Sequence, residues 1–284
     1  MLRGVGHVPR LKAGLAALGA AFAVSAAAAA AAETPALRYL PPTAVIAAEE
    51  ARQGVASDGE AIYVADNSTI GKYAASDGTA IARFEGDPAR FPHLNSCTLA
   101  GGRLVCASSN YPAVPHRGTV EFFDPATLAH TGSRVLPENP GSLTVMDWHG
   151  GHWWAVFANY DAKGGMPGKD HRQTLIARLS GDFAVEREYR LPASVLARIA
   201  PKSISGAGWS ENGCLYLTGH DKPEVYVMQL PGDGDVLVHA GTFATASFGQ
   251  AIDIDPARPD LLWSIDRRSR RVFASVLPAC GEQP

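Results

Sequence analysis

The chain has 284 residues, of which 46% are hydrophobic and 19% charged, with a formal net charge of −3. It is too apolar for a disordered chain and too acidic for one that coats nucleic acid. The Arg267-Arg268-Ser269-Arg270-Arg271 run is too short to change that, and four cysteines without a Cys-x-x-Cys spacing give no zinc signature.

Residues 1–32 read as an export signal. Arg3, Arg10 and Lys12 precede an apolar run from Ala13 to Val24 and an alanine tract, and Ala30 and Ala32 suit cleavage before Glu33. An uncleaved anchor is the alternative, weakened by how poorly alanine partitions into a bilayer. Cleavage leaves 22 basic against 28 acidic residues, a net charge of −6. The expectation is a periplasmic or secreted monomer with no nucleic-acid partner, no membrane attachment after cleavage and a small-molecule ligand. No low-complexity linker divides residues 33–284, which are expected to form a single domain.

Down that domain one pattern recurs. Gln53 opens a short apolar run, Asp58-Gly59 turns it, and strands follow at Ala61–Asp66, Thr69–Tyr73 and Ala80–Phe84. Aspartate-glycine between alternating runs is a strong hairpin signal. A second unit begins at His93, turns at Gly101-Gly102, and continues through Leu104–Ser108 and Thr119–Phe123. A third begins at Gly141-Ser142, turns at Gly150-Gly151, and continues through Trp153–Asn159 and Thr174–Leu179. After a short amphipathic helix at Ala193–Ala200, a fourth begins near Ser203 and continues through Leu215–Gly219 and Val225–Gln229. A fifth begins at Gly249-Gln250 and continues through Leu261–Ile265 and Val272–Val276. Short strands in fours at a period of about 40 to 60 residues describe an all-β five-bladed β-propeller, with six blades as the alternative. The fifth unit lacks an outer strand, which Leu37-Arg38-Tyr39-Leu40 could supply to close the ring.

A two-residue turn at Gly101-Gly102 sets Cys97 opposite Cys106 at a non-hydrogen-bonded pair, so a cross-strand disulfide is expected. Cys214 and Cys280 fall on neighbouring blades at the same face, and a second bridge would pin the C-terminal tail.

Starts of first strands and ends of second strands share one face of a propeller. Those positions hold Gln53 with Asp66 and Asn67; His93, Asn95 and Ser96 with Ser109, Asn110 and Tyr111; Ser142 with Asn159, Tyr160 and Asp161; Ser205 with His220 and Asp221; and Gln250 with Asp266 and Arg267. The opposite turns carry ordinary Gly, Asp and Pro, and His149 and His152 read as surface residues there. Convergent polar groups on an apolar scaffold mark a ligand site. His220, whose neighbour Asp221 should raise its pKa towards neutrality, is a candidate acid or base, as are His93 and Tyr160. Arg267 could clamp an anion or pair locally. The remaining residues would orient hydroxyls, although Asp66, Asp161, Asp221 and Asp266 could equally cap their own loops. Gly164–Asp170 imitates a phosphate loop but is one residue short. No cofactor and no metal is expected, with calcium in an Asp-lined channel left open.

The stretches Gln53-Gly54-Val55-Ala56, His93-Leu94-Asn95-Ser96, Ser109-Asn110-Tyr111-Pro112, Pro140-Gly141-Ser142-Leu143, Thr218-Gly219-His220-Asp221 and Gly249-Gln250-Ala251-Ile252 resemble a group of secreted bacterial β-propeller proteins often called cycloisomerases. A looser likeness, limited to the Gln53-Gly54-Val55 hairpin, is to five-bladed glutaminyl-peptide cyclotransferases, whose acidic motifs the later blades lack. The resemblance implies an exported propeller, while the mouth residues suit lyase, hydrolase or cyclising-isomerase chemistry. A non-catalytic saccharide- or peptide-binding propeller and a protein-interaction scaffold are the other readings.

Overall fold

Where two apolar alternating runs flank a residue free to adopt a positive φ, the chain folds back on itself. Gly59 does so at φ 91°, and Asp58 holds the turn by accepting hydrogen bonds from the backbone of Glu60 and Ala61 and from the Tyr63 hydroxyl. A computed structural model describes Gly6 and residues 37–281. The expected signal segment at 1–32, Gly6 apart, lies outside the described residues.

Repetition of that hairpin builds five four-stranded antiparallel sheets among the described residues. The first contains β2 (Gly54–Ser57), β3 (Ala61–Asp66), β4 (Thr69–Ala74) and β5 (Ala80–Glu85). The second contains β6 (Leu94–Ala100), β7 (Arg103–Ser109), β8 (Gly118–Phe123) and β9 (His130–Val135). The third contains β10 (Ser142–His149), β11 (His152–Ala158), β12 (Leu175–Leu179) and β13 (Val185–Arg190). The fourth contains β14 (Gly206–Trp209), β15 (Leu215–Thr218), β16 (Glu224–Gln229) and β17 (Val238–Ala244). The fifth contains β18 (Ile252–Ile254), β19 (Leu261–Asp266) and β20 (Arg271–Val276), with β1 (Pro42–Ala47) as its outer strand. Each first strand packs beside the first strands of both neighbours, β18 against β2 included, so the ring is a closed five-bladed propeller.

The closing strand is not the one the sequence suggested. β1 pairs antiparallel with β20 from Pro42↔Ser275 to Ala47↔Arg271, whereas Tyr39 makes a parallel bridge to Ala244 on the outer strand of the fourth blade. Pro41-Pro42 reads as a strand breaker, but a proline is tolerated at the first residue of an edge strand, where no ladder N–H is needed. One short N-terminal segment therefore binds two blades in succession.

Between each pair of neighbouring sheets lies an apolar cluster. Val55, Ile62, Trp263 and Ile265 fill the boundary of blades five and one, and Leu94, Leu104, Phe91 and Phe123 that of one and two. Leu143, Phe157 and Val120 fill the next, and Trp154, Trp209, Leu217 and Tyr226 the one between three and four, where Val195 and Ile199 of α1 (Ala193–Ile199) also pack. Tyr216, Phe243 and Leu262 complete the set. A propeller blade thus buries both faces, unlike a two-layer sandwich.

Both disulfides form as the spacing suggested. Cys97 and Cys106 face each other in register with Ala100 opposite Arg103, and their Cα atoms are 4.0 Å apart, the close approach of a non-hydrogen-bonded pair. Cys214–Cys280 spans 66 residues and ties the tail to the fourth blade. In the chain-entropy treatment this longer bridge is worth about 4 kcal/mol and the nine-residue bridge about 2.6 kcal/mol. Denaturant titration should show the larger loss for C214S/C280S than for C97S/C106S; the reverse order would contradict that account.

Candidate functional site

The residues at first-strand starts and second-strand ends meet in two wings. In the first, Asn67 Oδ1 accepts from Gln53 Nε2 at 3.3 Å and from His93 Nδ1 at 2.7 Å. The His93 ring lies 5.3 Å from that of Tyr111, which makes an edge contact at 5.2 Å with Tyr160. Blades one, two and three are joined by this chain of rings. Because Nδ1 donates to Asn67, the Nε2 of His93 carries the lone pair.

In the second wing, His220 Nδ1 lies 2.6 Å from Asp221 Oδ1, and Arg267 Nη1 lies 3.0 Å from His220 Nε2. A carboxylate can only accept and a guanidinium can only donate, so His220 is neutral, with its proton on Nδ1 and its lone pair towards Arg267. The two wings sense each other, for the positive charge of Arg267 favours the phenolate of Tyr111 against the upward push of burial.

The position of His220 is fixed from the neighbouring blade. Gly249 and Gln250 both adopt positive φ, 67° and 73°. A Cβ on Gly249 would meet Gly219 O at 2.4 Å and the His220 carbonyl carbon at 2.6 Å, so only glycine allows this approach. Gln250 N donates to Gly219 O at 3.0 Å and Gln250 Nε2 to His220 O at 3.3 Å, while Thr218 Oγ1 donates to Gln250 O. The left-handed Gln250 is a strained residue held where one blade grips the next.

Burial governs the charge of both histidines, against the expectation that Asp221 raises His220. Burial lowers His93 to about 4, against a weaker upward pull from Asp66. Burial also lowers His220; Asp221 opposes it, while Arg267 and Lys202 add to it. Desolvation beats a neighbouring anion when cations stand on the other side. Tyr160 is pushed well up by burial and keeps its proton.

Other expected residues serve the frame. Asn95 is 6% exposed and donates to Leu143 O at 2.8 Å and Ser109 Oγ at 3.2 Å; Ser96 Oγ donates to Ser205 O at 3.4 Å. Asn110 closes its own loop through Pro115 O and Arg117 N. Asp161 accepts from the backbone and Nδ1 of His171, and Asp266 from Ser269, as loop caps. Asp221 instead orients His220. Asp161, Asp170 and His171 place ligand atoms within 4.8 Å of one another, but Arg172 occupies Asp170. The false phosphate loop directs Lys169 Nζ to Pro140 O at 2.7 Å. Among the described residues, Asn159 Oδ1, Asp266 Oδ1 and both ring nitrogens of His116 are buried without hydrogen-bond partners. The unsatisfied atoms of these three side chains, at one face, are what a polar ligand or ordered water would satisfy.

Two groups escaped the sequence reading. His116 and Lys202 sit in loops at the same face, and nothing in their local spacing distinguishes them. The second group corrects the view that the opposite face is ordinary. Asp147, Asp253 and Asp255, 8%, 7% and 4% exposed, lie there beside a cavity of about 220 Å³. His149 is no plain surface residue: its ring stacks on Trp209 at 4.7 Å and 8°. Burial pushes Asp147 up to about 6 and Asp253 well above its usual range, with the charge of Asp147 adding to the latter. An aspartate near the end of each of two buried first strands was the available signal. A larger groove of about 1160 Å³ runs between the first and last blades, where Glu50, 1% exposed, accepts from Tyr73 and pairs with Arg83 at 2.6 Å.

No family model and no curated sequence matches the chain. Among solved structures it is similar to the PQQ-bound aldose sugar dehydrogenase of Streptomyces coelicolor (12% identity over 84% of this chain and 82% of that one, TM-score 0.49). It is also similar to virginiamycin B lyase of Staphylococcus aureus (13%, 84% and 75%, TM-score 0.42) and to the WD40 β-propeller domain of Doa1 (9%, 80% and 79%, TM-score 0.44). The five-bladed architecture rests on the sheet order itself.

His93 binds its proton more weakly folded than unfolded, so its contribution to stability is complete above about pH 6.5 and is lost as pH falls towards 4. That loss amounts to up to about 3 kcal/mol. NMR titration should place the His93 midpoint near 4, and H93Q should flatten the stability profile between those limits; a midpoint near 6.5 would refute the burial argument.

Proposed function

We propose that the protein is an exported enzyme that binds a small polar, sugar-derived or anionic ligand at this mouth and acts on it by acid–base chemistry. The reaction classes the groups suit are lyase, hydrolase or cyclising isomerase. The observation that carries the reading is the Asp221–His220–Arg267 series. Asp221 sets the tautomer of His220 and turns its basic nitrogen to the mouth, where an exposed guanidinium covers it. A ligand carboxylate or phosphate offers Arg267 a stronger, bidentate partner than an imidazole nitrogen. Recruiting the arginine would uncover the His220 lone pair beside the anchored ligand, coupling binding to the appearance of a base. Tyr160, still protonated, would return a proton or donate to a ligand oxygen. His93, neutral at ordinary pH, would accept from a ligand hydroxyl rather than act as an acid.

Export agrees with two disulfides. Among the described residues no helix is long and apolar enough to cross a membrane. The likeness to the cycloisomerase group belongs to this proposal, since fold alone does not choose a chemistry. A non-catalytic propeller that recognises a saccharide or peptide is the second reading, favoured by the fact that Arg267 already fills the acceptor of His220.

The ligand can be sought by mass spectrometry of small molecules that co-purify with the protein. With it in hand, H220A should lower kcat by about 10²-fold or more while leaving binding within severalfold. R267A should weaken an anionic ligand by about 10- to 100-fold, the value of a charge-assisted pair. Turnover unchanged in H220A would remove the proposed base; binding without any turnover would establish the second reading.

A further inference from the structure

At the far end of the channel the first strands finish in side chains that accept hydrogen bonds. Asp147 Oδ1 takes Thr98 Oγ1 at 3.1 Å and Trp148 N at 2.8 Å, and its Oδ2 takes Trp209 N at 3.1 Å. Asp255 holds four donors: the backbones of Ala257 and Arg258, the Ser57 hydroxyl and the Trp263 indole. Asp253 is the least satisfied, engaging the backbone N–H groups of Ser57 and Ile254. All three border the cavity of about 220 Å³, and Glu211 stands exposed at its edge. Among the described residues no lysine or arginine lines it. Four acidic side chains around one cavity, three of them buried, have no lysine or arginine there to balance an ionised carboxylate, which a dry interior penalises heavily.

Aromatic rings complete the wall. Trp148 is 44% exposed, and Trp209, 8% exposed, lies stacked under His149. The buried Nε1–H of Trp209 has no acceptor. The carboxylates therefore call for a cation, the exposed Trp148 ring favours one that is weakly hydrated, and the orphaned indole donor of Trp209 calls for an oxygen on the same molecule. A bare metal ion answers only the first, and these carboxylates do not form a group with metal-ligand spacing.

We propose that this cavity is a second ligand site, separate from the mouth, and that it takes a small hydroxylated ammonium compound, an amino alcohol or an amino sugar. Asp253, supported by Asp147, holds the ammonium group; Trp209 Nε1–H donates to the hydroxyl oxygen; and the Trp148 ring covers the open side. The titratable groups facing Asp253 around the cavity are Asp147, Asp255, Glu211 and His149. Burial raises Asp147 to about 6 and Asp253 well above its usual range, so an ammonium group that favours their ionised forms displaces the protons they carry.

Calorimetric titration with glucosamine and ethanolamine, run in two buffers of different ionisation enthalpy, tests this directly, with glucose and Ca²⁺ as comparisons. The expected result is binding of an amine at least tenfold tighter than glucose, with proton release to the buffer. D253N should weaken the amine at least tenfold. E211Q changes only an exposed rim residue and should weaken it severalfold, so it decides the matter if D253N fails to fold. Absence of amine binding at millimolar concentration overturns the proposal. So do equal affinity for glucose, binding indifferent to both variants, or saturation by Ca²⁺ in place of the amines.

Discussion

Everything in this ring depends on the pairing of β1 with β20. Without it the last blade would end in an open strand edge, and the apolar cluster shared by Ile46, Val55, Trp263 and Val272 would have one side missing. The first and last blades meet through the contacts of β18 and β19 with β2, which this pairing supports. Each of the five boundaries also carries a polar tie near the axis. Leu94 N bonds Asn67 O, Asn95 bonds Leu143 O, Thr144 bonds Ile204 O, Thr218 bonds Gln250 O, and Ser57 N bonds Asp253. Buried hydrogen bonds between rigid sheets resist sliding more than apolar packing does, since each is costly to leave unmade. The channel walls are thereby held in one register.

That rigidity is what permits a histidine to be neutral beside an aspartate. In water, Asp221 would raise the affinity of His220 for a proton. In the ring the imidazole is partly withdrawn from solvent and Arg267 and Lys202 stand near it, so the balance tips the other way. The imidazole cannot retreat, because Gly249 and Gln250 press on its backbone from the adjoining blade. The same competition between burial and charge runs in the opposite sense at the far end, where among the described residues no lysine or arginine lines the cavity and burial raises Asp147 to about 6 and Asp253 well above its usual range. The two ends of one channel thus have opposite electrostatic character: cationic and histidine-bearing at the mouth, acidic and aromatic below.

Much of this was readable in the chain. Turn chemistry and alternation located the strands closely, and the Gly101-Gly102 turn fixed the Cys97–Cys106 pair through register alone. The mouth residues followed from the rule that second-strand ends share a face. What the sequence hid depends on partners distant along the chain. The closing strand was expected at Leu37–Leu40 rather than Pro42–Ala47, because edge tolerance of a proline is a property of the sheet, not of the residue. Asn95 and Ser96 looked like ligand groups, yet their partners are carbonyls on other blades. Asp147, Asp253 and Trp209 looked like unrelated strand residues 44 and more positions apart in pairs such as Asp253 and Trp209. Only ring closure makes them neighbours of one cavity.

The most direct test of the account is the protonation state of His220 at pH 7, read from ¹⁵N shifts of its ring. The geometry requires a neutral imidazole protonated at Nδ1, with Nε2 as acceptor, and requires the ring to take up its second proton at higher pH in R267A, where the lowering by that cation is gone. A spectrum showing His220 as imidazolium, or protonated at Nε2 in the intact protein, would mean that Arg267 and His220 do not meet as described, and the proposed base would be lost with them.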